Sequence, residues 1–305
     1  MTARIGVLVM AHGTPASAAE IEPFYTRIRR GRPPSPDQLA DLVRRYDAIG
    51  GISPLAERTR AQVAGLAARL DAMAPGRYVV AYGAKHTEPS VEDAARRLAS
   101  GEVGAIVGIV LTPHRSARGS GEYLTRAAEA VEAAHPETPF VAVEKWFDAP
   151  GFVELMADRV TGALARCPAD PEVLFSAHSI PVIADSHDPY GDQVARSARL
   201  VAKKAGLEVP WSVAWQSAGR TDQEWLGPDL LATLDELGAS GRGSAVVCPI
   251  GFVSDHLEVL YDLDIEARAR AESAGLGFAR TDSLNADPAF IEVLAGVVTA
   301  ASPTS

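Results

Sequence analysis

The stretch FVSDHLEVLYDLDIE (252–266) places Glu258, Asp262 and Glu266 four residues apart. On an α-helix that spacing puts three carboxylates on one face, where each like-charged i,i+4 pair costs about 0.2–0.5 kcal/mol in isolation. Screening by water makes such a face tolerable and a bound cation makes it useful; the spacing fits both. His178, in LFSAHSIP (174–181), offers a second chemistry. An imidazole with an ordinary pKa of about 6.5 takes up protons at neutral pH and, when neutral, ligates metal. Glu258 supplies the hard oxygen that a divalent cation favours. A histidine satisfied by a backbone carbonyl and a solvated acidic face are the plain alternatives.

A third chemistry lies in TRIRRGRPP (26–34), where Arg27, Arg29, Arg30 and Arg32 precede a proline-rich loop, followed by Arg44, Arg45 and Tyr46. The planar guanidinium fork suits carboxylates and phosphates. AIGGISPL (48–55) then adds a glycine pair and Ser53, whose hydroxyl and nearby amides can hold an anion. A solvated basic surface explains the run equally simply.

These residues need a scaffold, and 305 residues with 47% hydrophobic and 22% charged side chains suffice for two domains with real cores. The formal net charge of -10 argues against general nucleic-acid binding, which requires a basic face. Charge is uneven: residues 1–60 hold nine Lys and Arg against six Asp and Glu, residues 251–305 three against nine. One end suits anions and the other cations. Cys167 and Cys248 are too few for a disulfide framework or a four-cysteine iron–sulfur cluster, so no cluster is expected. With no basic leader and no apolar run long enough to span a bilayer, a cytoplasmic location is the expectation.

Short apolar runs alternate with helical patterns: IGVLVMA (5–11), RYVVAYG (77–83), GAIVGIVL (104–111), FVAVEKW (140–146), EVLFSAH (172–178), SVAWQS (212–217) and AVVCPIGF (245–252). Their length and Val/Ile content predict strands. Segments such as PLAERTRAQVAGLAARLDAM (54–73) and GEYLTRAAEAVEAAH (121–135) predict the intervening helices. The alternation implies an α/β fold with parallel sheets, repeated in two similar Rossmann-like domains, 1–146 and 147–305. Pro150 and Gly151 mark the join, and the apolar pattern 288–301 is expected to pack on both sides, bridge the halves or pack back on the first.

Ligands of open α/β sheets bind at the carboxyl ends of the strands. The residues there are His12 to Pro15, Lys85 and His86, Pro113 to Arg115, His178 and Ser179, Gln216 and Ser217, and Gly251 and Phe252. Several common alternatives are missing. GASGRGS (238–244) precedes a strand instead of following one, and GxxxxGK[ST], HExxH and GxSxG do not occur.

The motifs VLVMAHGTP (7–15), YTRIRRGRPP (25–34), LVRRYDAIGGISPLAERT (42–59), FSAHSIP (175–181), DPYGDQV (188–194), WQSAG (215–219), EWLGPD (224–229) and GFVSDHLEVLYDLDIE (251–266) together resemble the ferrochelatase family. The likeness is strongest to the enzymes of Gram-positive bacteria that insert ferrous iron into coproporphyrin III. It runs from residue 5 to about 290. It implies two Rossmann-like halves with the porphyrin cleft between them. His178 takes the place of the family's cleft histidine, assigned to pyrrole proton removal, metal ligation or both, and Glu258 that of its acidic partner on the opposite wall. Asp262 and Glu266 match residues proposed to conduct or bind divalent metal. Arg29, Arg45, Tyr46, Ser53 and Tyr123 match positions that hold the macrocycle or its propionates, while Lys85, His86 and Trp225 fall among other residues of the cleft.

One departure stands out: related coproporphyrin enzymes commonly carry tyrosine where this chain reads AHGTP, so His12 becomes a candidate axial ligand of product iron. The resemblance implies coproporphyrin III and Fe2+ as substrates, no further cofactor, a monomer, and room for a downstream haem-pathway enzyme as partner. Protoporphyrin IX as substrate, a sirohydrochlorin-type cobalt or nickel chelatase, and a non-catalytic porphyrin or haem carrier are the other readings. Side-by-side turnover separates the enzymes; a carrier has no use for a proton acceptor beside a carboxylate.

Overall fold

The computed structural model describes residues 4–167, 170–182, 188–219 and 221–303. In chain order its elements are β1 (Arg4–Ala11), α1 (Ile21–Ile28), α2 (Pro36–Ala48), α3 (Leu55–Met73), β2 (Tyr78–Ala84), α4 (Val91–Ala99), β3 (Val103–Val110), α5 (Ser120–Ala134) and β4 (Phe140–Val143). The second series is α6 (Pro150–Leu164), β5 (Pro171–His178), α7 (Tyr190–Ala205), β6 (Trp211–Gln216), α8 (Leu230–Ala239), β7 (Ser244–Cys248), α9 (Leu257–Leu260), a π-turn (Asp262–Ala267), α10 (Arg268–Ser273), β8 (Gly277–Arg280) and α11 (Pro288–Ala301).

Two four-stranded parallel sheets result, ordered β2-β1-β3-β4 and β6-β5-β7-β8. Helices cover both faces of such sheets, which is why their inner strands read as continuous apolar runs. Val7 to Met10 and Val173 to Phe175 are fully buried. Helix starts follow local chemistry: Ser35 and Gln38 form a reciprocal capping box on α2, Ser90 caps α4, Asp229 caps α8 and Asp287 caps α11.

The chain forms two compact units, Met1–Trp146 with Ser254–His256 and Asn285–Ser305, and Phe147–Val253 with Leu257–Leu284. The main break falls at the expected join between 146 and 147, and the last helix, for which packing back on the first half was among the expectations, groups with the first unit. The physical reason is α11's apolar surface. Phe290 and Leu294 are fully buried, Gly65 of α3 brings that helix so close that a Cβ there would lie 3.1 Å from Ile291, and Arg69 pairs with Glu292 at 2.6 Å.

Two strands end three or more residues short of the periodicity reading, and one strand lies outside it. β4 stops at Val143, because Trp146 turns inward and donates from Nε1 to the Val110 carbonyl at 3.1 Å. β7 ends at Cys248, since Pro249 has no N–H for the ladder and Ile250 N–H folds back onto the Cys248 carbonyl at 2.7 Å. β8, GFAR, escaped the pattern: four half-buried residues at a sheet edge carry no alternation.

Candidate active site

In both sheets the second strand lies beside the first on one side and the third on the other, so the order reverses between β1 and β3 and between β5 and β7. That reversal is where open α/β sheets bind ligands. In the second unit His178 ends β5, and the loop after β7 returns across its tip. Gly251 makes this return possible: a Cβ there would sit 2.8 Å from the Cβ of Ala177, and its N–H donates to the Ser176 carbonyl at 3.2 Å. Seven residues later Glu258 opens the first turn of α9.

His178 Nδ1 lies 3.0 Å from Glu258 Oε2, each side chain about a third exposed, at 38% and 36%. An ionised carboxylate can only accept, so Nδ1 carries hydrogen and neutral His178 presents its lone pair on Nε2. Burial of His178 opposes its protonation, but the Glu258 charge, the hydrogen bond to it and the Asp262 charge outweigh burial and raise its pKa above the ordinary value. Chemically the arrangement can hold a proton on the imidazole and offer a carboxylate oxygen to a cation. Behind it, Tyr190 packs on Trp215 with ring centroids 5.6 Å apart; burial and then the Glu258 charge push its phenol up, so it stays protonated.

The acidic stretch is not the single straight helix its spacing suggested. The helix starts at Leu257, and after one turn the Glu266 N–H reaches back five residues to the Tyr261 carbonyl at 2.9 Å. Such π-turns carry one extra residue per turn and rotate the side chains that follow. Asp262, at the start of that turn, is 6% exposed and accepts from Ser217 Oγ, whereas Glu266 is half-buried. Asp264 is clamped by both arms of Arg280 at 2.7 Å each. The expected metal set of His178, Glu258, Asp262 and Glu266 is not assembled as one cluster: among the described residues no three His, Cys, Asp or Glu side chains converge on a metal-binding arrangement. His178 and Glu258 meet; Asp262 accepts from Ser217 just past β6, and its charge still acts on His178.

Gln216 and Ser217, which the sequence places only at a strand end, support the pair. Gln216 Nε2 donates to the Glu258 carbonyl at 3.2 Å and its Oε1 accepts from Ser176 Oγ at 2.9 Å. Trp225 lies against Gly219, where a Cβ would come within 2.5 Å of its ring, and its Nε1 donates to Thr221 Oγ1 at 3.0 Å.

The remaining candidates belong to the first unit. His12 is exposed just past β1, donates from Nδ1 to the Gly13 carbonyl at 3.2 Å, and faces His86 with ring centroids 4.7 Å apart. Burial, helped by the positive charges of His12, Lys85, Arg126 and Arg27, brings His86 down to about 3, so it is neutral at physiological pH. His114 is also held neutral, at about 3, by burial. Arg29 lies over the Tyr25 ring at 5.5 Å, and Arg45 bonds Asp41 at 3.1 Å. Ser53 is buried, its Oγ accepting the Leu55 N–H at 3.3 Å at the start of α3. Tyr46 and Tyr123 are 3% and 6% exposed, which leaves each phenol little surface for a ligand; Lys85 Nζ sits 5.0 Å from the Tyr123 ring centre.

A ferrochelatase family model matches residues 4–302. The chain belongs to the ferrochelatase family. It is 43% identical over 302 residues to the coproporphyrin III ferrochelatase of Bacillus subtilis, covering 97% of each chain, and 41% identical to a ferrochelatase of Herpetosiphon aurantiacus, covering 98% of this chain and 99% of that one. Among solved structures, the sirohydrochlorin chelatase SirB of Bacillus subtilis subspecies spizizenii in complex with cobalt aligns with a TM-score of 0.59 over 97% of this chain and 94% of its own at 10% identity, a likeness of fold. As a ferrochelatase, the chain is a metal-chelating lyase whose reaction places a metal ion in a porphyrin. Among the described residues no helix is long and apolar enough to cross a membrane.

Proposed function

We propose that this ferrochelatase inserts Fe2+ into coproporphyrin III to form Fe-coproporphyrin III, with no resident cofactor. The observation that supports a catalytic part most directly is the His178–Glu258 pair at 3.0 Å. Insertion exchanges two pyrrole N–H protons for one Fe2+, so the site needs a proton acceptor beside a group that tolerates the incoming charge. Neutral His178 accepts one pyrrole proton at Nε2, passes it to solvent from its exposed edge and then accepts the second, with Glu258 stabilising the imidazolium each time.

The macrocycle is flat and its nitrogen lone pairs point inward. Binding energy from remote groups can offset the strain of tilting a pyrrole towards the metal. Coproporphyrin III carries four propionates against two on protoporphyrin IX. The exposed Arg27, Arg30 and Arg32 and the half-buried Arg29 and Arg45 supply a basic, carboxylate-binding surface on the first unit. The name borne by the Bacillus subtilis relative points the same way.

The experiment is turnover with Fe2+ on coproporphyrin III and protoporphyrin IX side by side. A kcat/KM at least tenfold higher for coproporphyrin III is expected. Equal or inverted values would reassign the porphyrin, and binding of either without metal insertion would make the protein a carrier.

A further inference from the structure

The two sheets match strand by strand, and the match isolates one residue. Ala84 pairs with Ala11 in the first sheet, and Trp215 with Ala177 in the second. In each case the residue's N–H also bonds a proline carbonyl ahead of the following helix, Pro89 or Pro228, at 2.8 Å. Counting on from these anchors, Lys85 and His86 occupy the positions that Gln216 and Ser217 occupy in the second sheet.

Ser217 has φ 61°, in the left-handed region, whereas His86 is not among the residues with positive φ. The topology therefore does not impose this conformation, and left-handed backbone at a non-glycine residue persists only where its surroundings demand it. What differs in the second unit is the partner: Ser217 Oγ donates to the buried Asp262 at the start of the π-turn, while the adjacent Gln216 holds the Glu258 carbonyl. One dipeptide at the tip of β6 thus grips both carboxylate-bearing positions.

We infer that Ser217 is a positioning residue for metal delivery: its left-handed backbone aims the hydroxyl that fixes Asp262 for a divalent cation on its way to the His178–Glu258 pair. This rests on the metal-insertion reading above. Ser217 touches neither porphyrin nor iron in this scheme, so it governs the response to metal concentration and leaves porphyrin recognition alone.

The test uses the full chain with Ser217→Gly, which tolerates φ 61° but lacks the hydroxyl, and Ser217→Asn, which tolerates it and keeps a donor. The apparent KM for Fe2+ is expected to rise fivefold or more in Ser217→Gly, with kcat at saturating iron within twofold and the porphyrin KM unchanged, and to recover at least half-way in Ser217→Asn. Calorimetric titration with Co2+ without porphyrin should weaken in parallel, and adding Asp262→Asn to Ser217→Gly should produce little further loss. A wild-type KM for Fe2+ in Ser217→Gly, an equal fall in kcat with no change in KM, or fully additive effects with Asp262→Asn would overturn the inference. Failure of the wild type to insert iron would instead overturn the underlying reading, and the Co2+ titration separates the two.

Discussion

His178 at the end of β5 and Glu258 in the first turn of α9 are eighty residues apart in sequence and hydrogen-bonded at 3.0 Å. Their coupling has a direction in pH. The folded pKa of His178 is raised, so protonation is favoured in the native state and the base is available only above that value. The acidic limb of kcat/KM is therefore expected above pH 6.5 in the wild type and lower in Glu258→Gln, whose kcat should fall by a hundredfold or more. By the same linkage, the stabilising effect of the pair is complete below about pH 6.5 and is lost as pH rises through the folded value. His178→Ala should abolish insertion while porphyrin binding, followed by fluorescence quenching, is largely kept. Near-wild-type turnover in that variant contradicts the assignment.

Gly251 is the point at which the returning loop touches β5. A methyl group there meets Ala177 at 2.8 Å, with backbone on the opposing strand at 3.1 Å, so Gly251→Ala must displace the loop that leads to Glu258. Overpacking of this kind costs about 1–3 kcal/mol. The expected result is a melting temperature lower by several degrees with a tenfold or larger drop in kcat, measured by thermal denaturation and turnover; loss of stability alone would show that the approach does not set Glu258.

His12 is exposed and keeps Nδ1 engaged with its neighbour's carbonyl, which leaves Nε2 as the lone-pair nitrogen when the ring is neutral. If it ligates product iron, as its place in AHGTP suggests, the optical spectrum of the product complex should differ between wild type and His12→Ala, in the charge-transfer and Soret regions. Identical spectra would remove it as a ligand.

The last helix tests the domain boundary. Phe290 is fully buried and its ring lies 5.9 Å from that of Trp146, both in the first unit. Phe290→Ala should cost about 3–5 kcal/mol, read as a fall in the denaturation midpoint. A shift under about 1 kcal/mol would mean that α11 contributes little to that core.

By itself the sequence determined what depends on neighbours along the chain. Alternating apolar runs and helical patterns specified an α/β chain of two similar halves, because strands buried on both faces and helices buried on one have different periods. The family motifs singled out His178 and Glu258. Tertiary structure decided the rest. Ser217 Oγ, 45 residues away, holds Asp262, and the π-turn that begins there, invisible in four-residue spacing, shifts the residues after it. Trp146 cut β4 short by bonding a carbonyl 36 residues away, and α11 joined the first unit because Gly65 left room for Ile291. Each outcome hangs on a contact between residues far apart in the chain, and such contacts leave no period to read.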